Sequence, residues 1–357
     1  MRINRYVSTH KRVPHGGPFS IAHPNSDILD FSSNISPIGP SQMVRKTIKN
    51  HLDSVKIYPD SESTVLKKNL QNYLKIPSGQ IVIGNGATEI IYNFCHAFLS
   101  NKTPVLIPIP TFGEYESAAK LSGAKVSFFK TMNLEQDTDE FISKFPFNGC
   151  IFICNPNNPT GNLMQKHTLQ KLIKSAHKKK TLVFVDECFI ELVPDSNETI
   201  IGLVKKFPNL FVLRSLTKSF ALAGLRIGYG LGSKQIISVL NKIKLPWNVS
   251  GIAQHAASAA LDDLIYLGKV NKMIKKESSY LIDSISKLNN FQCIPTSTNF
   301  ILIKTKINSK TLQKKLLEKK ILIRDCSTIR GLNNNYIRIA VKTRQENEKL
   351  IRSLEIL

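Results

Sequence analysis

Short, almost continuously apolar runs alternate with longer amphipathic segments along the first two-thirds of the chain. Such runs occur at 80–83, 105–109, 150–154 and 181–186, and most are followed by residues with helical spacing. A strand that lacks a polar face is buried on both sides of its sheet. The alternation therefore predicts an α/β fold with a mostly parallel sheet covered on both faces by helices.

The same pattern predicts the individual elements. We expect helices at about 41–52, 63–74 and 168–178, from the turn at 84–89 to about 99, after 113 to 121, at 252–261, and at 263–288. We expect strands at 80–83, 105–109, 125–129, 150–154, 181–186, 210–213, 227–231, 299–304, 321–324 and 336–340. One further helix is expected between the last three strands, and one after them.

The chain is long for one hydrophobic core, which favours two domains. Residues 1–40 are rich in turn formers and predict an extended N-terminal arm, with at most a short strand near Leu29. The alternating pattern then predicts a large domain over 41–248. Shorter strands and a long Lys/Glu-rich helix predict a smaller α+β domain over 249–357.

Composition is that of an ordinary globular protein, with 42% hydrophobic and 21% charged residues. No apolar run reaches the roughly 18 residues that a membrane span needs. The basic N-terminus has no apolar core of a secretory signal, so we expect a cytoplasmic protein without membrane contact. The six cysteines form no Cys-x-x-Cys pair, which favours reduced, buried thiols and no metal site.

The net charge of +23 is the one unusual bulk property. Solvated lysines on helix faces are the simplest explanation, and attraction of anionic small molecules such as phosphorylated substrates is a second. Nucleic-acid binding is a third. Because the sequence has no zinc-finger spacing, aromatic-glycine RNA signature or basic heptad helix, we expect no nucleic-acid partner.

Polar residues follow several predicted strands at their carboxyl ends, where open parallel sheets bind ligands. The glycine-containing turn at 84–89 opens a helix, whose free N–H groups can hold a phosphate. Asp186 ends a buried strand and is either a helix cap or the partner of a protonated ring nitrogen. Lys218 lies among apolar residues, which favours a Schiff-base lysine over a surface lysine. Arg226, eight residues later, is either a surface ion-pair residue or a phosphate ligand.

Residues 155–161 (NPNNPTG), Asp186, Lys218 and Arg226, in this order and spacing, resemble fold-type I pyridoxal-phosphate enzymes over essentially the whole chain. Within that superfamily the chain resembles the branch of histidinol-phosphate aminotransferases and threonine-phosphate decarboxylases, and is most similar to the decarboxylases. The motifs that favour this branch are HGG at 15–17, DFSSNISPIGP at 30–40, GNGATE at 84–89, PTFGEYE at 110–116, VDECFIEL at 185–192, PWNVS at 246–250 and RIAVKTRQEN at 338–347.

The resemblance implies pyridoxal 5′-phosphate as cofactor and a role for each matching residue. Lys218 would form a Schiff base with the cofactor and later move protons at the substrate α-carbon. Asp186 would pair with the ring nitrogen, Asn158 would donate to the ring 3′-oxygen, and Phe112 would stack on the ring. The cofactor phosphate would be held by Ala87, Thr88, Ser215, Arg226 and, from the neighbouring subunit of a homodimer, Tyr58.

On the substrate side, the resemblance implies that Arg338 binds a carboxylate and Arg324 a phosphate, with His15 and Asn34 lining the same space. One position departs from the pattern of many relatives. Three residues after Asp186, where they carry a tyrosine that donates to the 3′-oxygen, this chain has Phe189. Asn158 would then be the sole side-chain donor to that oxygen, a departure that mildly favours the decarboxylase-like branch.

The resemblance implies decarboxylation of L-threonine O-3-phosphate to (R)-1-amino-2-propanol O-2-phosphate, a step of cobalamin biosynthesis. The alternative is a histidinol-phosphate aminotransferase that passes the amino group to 2-oxoglutarate. Both reactions use the same residues and differ in which bond to the α-carbon is held perpendicular to the cofactor ring. A remote alternative from another class is a non-enzymatic nucleic-acid-binding protein on the same fold, suggested only by the charge.

Overall fold

The computed structural model describes residues 3–21, 27–194 and 197–357. Its helices are α1 Arg5–Ser8, α2 Gln42–Asn50, α3 Thr64–Leu74, α4 Gly86–Phe98, α5 Glu114–Leu121, α6 Thr138–Ser143, α7 Lys166–Lys178, α8 Leu216–Ser219, α9 Lys234–Ile243, α10 Gly251–Asp262, α11 Leu264–Ile285, α12 Ser309–Glu318 and α13 Arg344–Glu355. Its strands are β1 Leu29–Asp30, β2 Ile81–Gly84, β3 Pro104–Ile109, β4 Lys125–Lys130, β5 Cys150–Cys154, β6 Leu182–Asp186, β7 Leu210–Ser215, β8 Gly228–Gly232, β9 Phe291–Cys293, β10 Phe300–Thr305, β11 Ile321–Leu322, β12 Arg324–Asp325 and β13 Tyr336–Ala340.

The central sheet has seven strands in the order β2-β8-β7-β6-β5-β3-β4. The pairs from β7 through β4 are parallel, which confirms the mostly parallel sheet that the apolar runs predicted. Strand β8 is the exception, since it runs antiparallel to both β7 and β2. The chain turns back after β7 through the short helix α8, and antiparallel neighbours need only such a short connection.

Helices cover the central sheet, and aromatic side chains pack helix α4 against one face of it. The ring of Phe94 on α4 lies 4.9 Å from that of Phe184 on β6 and 5.1 Å from that of Phe211 on β7. Every residue of β5 and β7 is buried. Because the packing fixes α4 against the middle of the sheet, its N-terminus is held close to the ends of β7 and β8.

A second hydrophobic core lies in the C-terminal part of the chain. A four-stranded antiparallel sheet in the order β12-β13-β10-β9 packs with α11 and α13. The short strand predicted near Leu29 is present as β1 and pairs in parallel with β11. Phe31, which follows β1, is fully buried in this core, so part of the predicted arm packs with the C-terminal part. The domain boundaries at 40 and 248 stay predictions.

Three details differ from the expected pattern. The arm is not extended throughout, because it contains α1. The strand expected at 321–324 is divided at Ile323, since β11 pairs with β1 whereas β12 pairs with β13. Helices α6, α8 and α9 and strand β9 are present in addition to the expected elements. Among the described helices, none has both the length and the apolarity that crossing a membrane requires.

Candidate functional site

A cavity of about 1230 Å³ opens where the central sheet, the N-terminal arm and the C-terminal sheet meet. With one exception, every residue that the sequence singled out as a site residue lines it: His15, Asn34, Ala87, Thr88, Phe112, Asn158, Asp186, Ser215, Lys218, Arg226, Arg324 and Arg338. Tyr58 is the exception. Residues far apart in the chain are therefore brought to one place.

Lys218 lies on α8, directly after the end of β7. The hydroxyl of Ser215 caps this helix by accepting from the backbone N–H of Thr217. The backbone carbonyl of Lys218 accepts from the N–H of Ser36, which ties the lysine to the arm at 3.0 Å. Burial, with the nearby guanidinium groups of Arg338 and Arg226, lowers the pKa of Lys218 to about 8. A substantial fraction of its amine is therefore neutral near pH 8 and available as nucleophile or base.

Asp186 is the last residue of β6 and is 5% exposed. Its Oδ1 accepts from the N–H of Cys188 at 2.8 Å, and its Oδ2 accepts from the hydroxyl of Tyr115 at 2.6 Å. Burial raises the pKa of Asp186, and both hydrogen bonds oppose that rise. The carboxyl group is held in one orientation at the floor of the cavity.

Tyr115 is a site residue that sequence reasoning missed. It lies in the first turn of α5, is 1% exposed, and stacks on Phe152 with ring centroids 5.4 Å apart. Burial and the charge of Asp186 hold the pKa of Tyr115 well above its usual value, so the hydroxyl stays protonated and donates. The tyrosine in the motif at 110–116 was visible in the sequence, but its contact with Asp186 depends on how α5 packs against the sheet.

The loop at 155–161 carries Asn158 after the end of β5. The side chain of Asn155 braces this loop by accepting from the N–H of Met164 at 2.7 Å and donating to its carbonyl at 3.2 Å. The peptide bonds Asn155–Pro156 and Asn158–Pro159 are cis. The side-chain oxygen of Asn158 accepts from Nη1 of Arg338, which links the loop at 155–161 to strand β13.

The first turn of α4 and Arg226 form a cradle with the shape of a phosphate site. Gly86 has φ +79°, and a Cβ there would lie 2.5 Å from Nη2 of Arg226, so only glycine allows this approach. A Cβ at Gly228 would lie 2.7 Å from the backbone nitrogen of Ala87. The hydroxyls of Ser215 and Thr217 are 2.7 Å apart on the facing wall. Helix N–H groups, hydroxyls and one guanidinium suit a phosphate dianion.

Two guanidinium groups lie on the opposite side of the cavity. Arg324 and Arg338 are register partners on β12 and β13. Arg338 is 8% exposed and donates from Nη2 to the carbonyl of Ser32 at 2.8 Å, while its Nε has no hydrogen-bond partner among the described residues. Burial lowers the pKa of Arg338 to about 10. Arg324 donates from Nη2 to the carbonyl of Pro14 at 2.6 Å, and burial lowers its pKa also.

The arm contributes the remaining predicted substrate-side residues. Nε2 of His15 lies 2.6 Å from Oε1 of Glu114. Asn34 is 2% exposed, and its Oδ1 has no hydrogen-bond partner among the described residues. Buried polar atoms are normally paired, so these orphan atoms at Asn34 and Arg338 indicate where a polar ligand would bind.

The aromatic positions are placed as follows. Phe112 lines the cavity, with its ring centroid 6.0 Å from that of His15. Phe189, the departure from the tyrosine of many relatives, is 6% exposed and packs edge-on against Phe300 at 5.0 Å. Tyr58 is 78% exposed and stacks on Trp247 at 4.6 Å, so within one chain it does not reach the cavity.

A buried ionic network lies behind Lys218 and was not expected from the sequence. The hydroxyl of Ser219 donates to Oε2 of Glu191 at 2.7 Å, and Nε of Arg214 donates to Oε2 of Glu187 at 2.9 Å. Arg214 also donates to Glu191 at 3.4 Å. These bonds join the loop after Asp186 to the helix of Lys218 and so fix the two residues relative to each other. Within the described ranges, no group of three or more His, Cys, Asp or Glu is arranged to hold a metal ion.

Comparisons with known proteins place the chain among enzymes with related activities. It is 35% identical over 338 residues to histidinol-phosphate aminotransferase 2 of Archaeoglobus fulgidus, covering 95% of each chain. It is 31% identical over 331 residues to threonine-phosphate decarboxylase of Salmonella typhimurium, covering 92% of this chain and 90% of the relative. The crystal structure of L-threonine-O-3-phosphate decarboxylase from Porphyromonas gingivalis matches with a TM-score of 0.83 and 26% identity, over 91% of this chain and 98% of that one.

A family model for aminotransferase class I and II matches residues 26–354, nearly the whole chain. The site fits the pyridoxal 5′-phosphate of such enzymes, because it offers a phosphate cradle, a carboxyl group for a ring nitrogen and a lysine in one cavity. The resemblance noted in the sequence is thus confirmed, and the non-enzymatic alternative is not. This chain belongs to the class I and II aminotransferase family and is a pyridoxal 5′-phosphate-dependent enzyme.

Proposed function

We propose that the enzyme decarboxylates L-threonine O-3-phosphate to (R)-1-amino-2-propanol O-2-phosphate, for cobalamin biosynthesis. The observation that carries the proposal is the pair of register partners Arg324 and Arg338 on one wall of the cavity. The substrate carries two anionic groups close together, a carboxylate and a phosphate. Two guanidinium groups match this charge pattern, and each can bind its anion through two parallel hydrogen bonds.

Bound pyridoxal phosphate supplies an electron sink for the pair of electrons that remains at the substrate α-carbon when a bond to that carbon breaks. In our proposal Asp186 pairs with the ring nitrogen and keeps it positive, and Tyr115 holds that carboxyl group in place. Asn158 donates to the ring 3′-oxygen through its amide nitrogen, consistent with the bond that its oxygen accepts from Arg338. The cradle of Ala87, Thr88, Ser215 and Arg226 holds the phosphate, and Phe112 covers a ring face.

Lys218 is proposed to carry the proton that the reaction needs. The Cα–carboxylate bond breaks, carbon dioxide leaves with none of the bonding electrons, and a proton must be added at the α-carbon. An ammonium group at Lys218 can deliver that proton, and its lowered pKa makes it a better proton donor than an ordinary lysine.

The outcome of the reaction depends on how the substrate is oriented. The bond that breaks is the one aligned perpendicular to the cofactor ring. Arg338 contacts Asn158, whereas Arg324 contacts the arm at Pro14, so the two anion anchors lie at different distances from the cofactor side. We infer that Arg338 binds the carboxylate and Arg324 the phosphate.

Histidinol-phosphate aminotransferase is the second candidate, because relatives with that name and relatives named threonine-phosphate decarboxylase have similar identities to the chain. An amino transfer to 2-oxoglutarate would also use two cationic anchors. Histidinol phosphate itself carries one anionic group and an imidazole ring. The carboxylate of Glu114 near the cavity already accepts hydrogen bonds at both oxygens, from His15 and Tyr92. It is therefore not available to bind the imidazole ring of histidinol phosphate, which favours the smaller, doubly anionic substrate.

We also propose a homodimer in which Tyr58 reaches the cofactor phosphate of the partner subunit. Tyr58 is exposed and points to no part of its own cavity, and it lies in an apolar surface that a second copy would cover. That surface comprises Leu52, Val55, Ile57, Tyr58, Leu245 and Trp247, all more than half exposed. The stack of Tyr58 on Trp247 joins its two segments.

The test uses purified holoenzyme. Incubation with L-threonine O-3-phosphate should release carbon dioxide in amounts equal to the amine product. In parallel, histidinol phosphate with 2-oxoglutarate should give no glutamate. Glutamate formation without release of carbon dioxide would replace the proposal with the aminotransferase.

A further inference from the structure

We propose that Glu114 is a positioning residue for substrate recognition: it holds His15 as a doubly protonated, cationic donor to the phosphate group of the substrate. The inference rests on the proposed phosphorylated substrate. It adds His15, supported by Glu114, as a third cation beside Arg324 and Arg338. Glu114 does not line the cavity, but His15 does. Glu114 would therefore act only through the histidine.

The chain of hydrogen bonds behind His15 has a defined direction. Tyr92 donates to Oε2 of Glu114 at 2.6 Å, and its oxygen lies 2.7 Å from the hydroxyl of Ser117. Burial and the bond to Glu114 raise the pKa of Tyr92 to about 12, so its hydroxyl keeps its proton. Since Tyr92 has only one proton to give, Ser117 must donate to Tyr92. The remaining oxygen of Glu114, Oε1, is left for His15.

Glu114 is a carboxylate in this arrangement. It is the first residue of α5 and is 5% exposed. Burial raises the pKa of Glu114, but the hydrogen bonds from His15 and Tyr92 outweigh burial, so the net pKa lies below its usual value. A carboxylate only accepts hydrogen bonds, and Oε1 lies 2.6 Å from Nε2 of His15. Nε2 must therefore carry a proton.

The state of the second ring nitrogen then decides what His15 offers to the cavity. In the neutral ring with a proton on Nε2, Nδ1 accepts hydrogen bonds and would repel an anion. With both nitrogens protonated, the ring bridges Glu114 and an anion in the cavity. The neighbouring residue Pro14 accepts from Arg324, so the histidine and this guanidinium converge on the same wall.

Other charged groups near this wall are already engaged or add to its positive charge. Glu116 accepts from Arg330 and Lys120, both on the same side of the cavity. His10 also acts on Glu114 through its charge. On the strand of Arg324, Asp325 accepts from Ser309 and Ser327. Glu114 is thus the carboxylate in direct contact with His15 among the described residues.

The direction in which one substitution changes the affinity for an anion distinguishes this role from a general effect of charge. Removing a carboxylate near an anion site should strengthen anion binding if only the overall field matters. Glu114→Gln keeps a side-chain oxygen that can accept from His15 but removes the charge that favours the imidazolium. If Glu114 acts through His15, the substitution should weaken anion binding instead. Glu116→Gln removes a carboxylate from the same helix without touching His15 and is the matched control.

The experiment measures binding of isopropyl phosphate, a phosphate monoester with neither amine nor carboxylate, to the holoenzyme by calorimetry between about pH 5.5 and 8.5. We expect Glu114→Gln to raise the Kd about tenfold at the acid end, as for loss of one charge-assisted hydrogen bond. His15→Gln should give a similar loss, and Tyr92→Phe a smaller one. Glu116→Gln should bind as tightly as the natural enzyme or more tightly.

Unchanged or tighter phosphate binding by Glu114→Gln would overturn the proposal, and so would unchanged phosphate binding by His15→Gln. If Glu114→Gln fails to fold, Tyr92→Phe is compared with Glu116→Gln. Weaker phosphate binding by Tyr92→Phe supports the proposal, and equal phosphate binding by the two variants overturns it. The failure of the proposed function looks different. In that case the natural enzyme would release no carbon dioxide from L-threonine O-3-phosphate, whatever its affinity for isopropyl phosphate.

Discussion

The hydroxyl of Tyr115 donates a hydrogen bond of 2.6 Å to Oδ2 of Asp186, across the gap between α5 and the end of β6. Both side chains are almost completely buried. A tyrosine that keeps its proton stabilises the charged form of the aspartate, and a hydrogen bond to a charged group is worth about 1.5–3 kcal/mol. The hydrogen bond therefore orients the carboxyl group and opposes the rise in its pKa that burial causes.

Tyr115→Phe should lower kcat by about tenfold to a hundredfold, because Asp186 loses a donor to its charged form. The pKa of Asp186 should rise, so the acid limb of the pH–rate profile should move to higher pH. Steady-state kinetics across pH measures both. Tyr229→Phe is the control, since the Tyr229 hydroxyl is buried without a hydrogen-bond partner among the described residues. Equal losses in the two variants would contradict the role assigned to Tyr115.

Lys218 in the cofactor-free enzyme should react with an amine-specific reagent with a midpoint near its pKa of about 8. The guanidinium of Arg338 opposes protonation of the amine, so Arg338→Gln should raise the pKa and move the midpoint to higher pH. Labelling as a function of pH, followed by peptide mass spectrometry, measures the shift at this one lysine. A midpoint unchanged by the substitution would show that the charge of Arg338 does not contribute to the lowered pKa.

Gly86→Ala should weaken the binding of pyridoxal phosphate by at least about tenfold, because a Cβ with φ +79° is strained and would displace the Arg226 guanidinium. Equilibrium dialysis of the cofactor gives the Kd. Gly79→Ala is the matched control, since a Cβ there has no heavy atom within 4 Å. Cofactor binding equally weak in both variants would rule out the cradle as the cause.

The two arginines should have separable effects on substrate binding. Arg324→Gln should raise the KM for L-threonine O-3-phosphate by about tenfold to a hundredfold and leave the weak binding of unphosphorylated L-threonine unchanged. Arg338→Gln should weaken both ligands, because both carry the carboxylate. Kinetics and spectroscopic titration of the holoenzyme measure these effects. If Arg324→Gln weakened the binding of unphosphorylated L-threonine more than Arg338→Gln does, the two assignments would have to be exchanged.

Ile57→Asp should dissociate the proposed dimer, because it introduces a charge into the exposed apolar surface around Tyr58. Analytical ultracentrifugation should show a monomer with weakened cofactor binding, since Tyr58 of the partner subunit is then lost from the site. Ile356→Asp is the control, as Ile356 is 70% exposed in the last residues of the chain. A stable dimer of Ile57→Asp would place the interface elsewhere.

Much of the fold was predictable, because the buried strands have no polar face and their apolar runs are therefore visible in sequence. Strand β5 has the predicted bounds, and β3 and β6 differ from theirs by one residue. Helix α9 was not predicted, although its apolar residues Ile236, Ile237 and Leu240 are buried. The reversed direction of β8 was not predictable either, since an apolar run does not encode the direction of its neighbours.

Several of the proposed site residues could be found from the sequence because they lie near the ends of strands. Asp186 ends β6, Asn158 and Lys218 lie shortly after the ends of β5 and β7, and Arg226 lies shortly before the start of β8. The topology of an open sheet brings such ends together. Tyr115 and Glu114 could not be assigned in this way. Their partners, Asp186 and His15, are far away in the chain, and each contact depends on how α5 lies against the sheet and the arm.

The sequence by itself determined the family and the cofactor chemistry, and it singled out site residues that all line the cavity except Tyr58. These depend on residue types in a fixed order along the chain. The tertiary structure alone decided which groups hold those residues in place. It put Tyr115 on Asp186, Glu114 behind His15, and Arg324 beside Arg338. The physical reason is that a hydrogen bond or an ion pair acts over a few ångströms in space, and those distances are set by the packing of whole helices and strands.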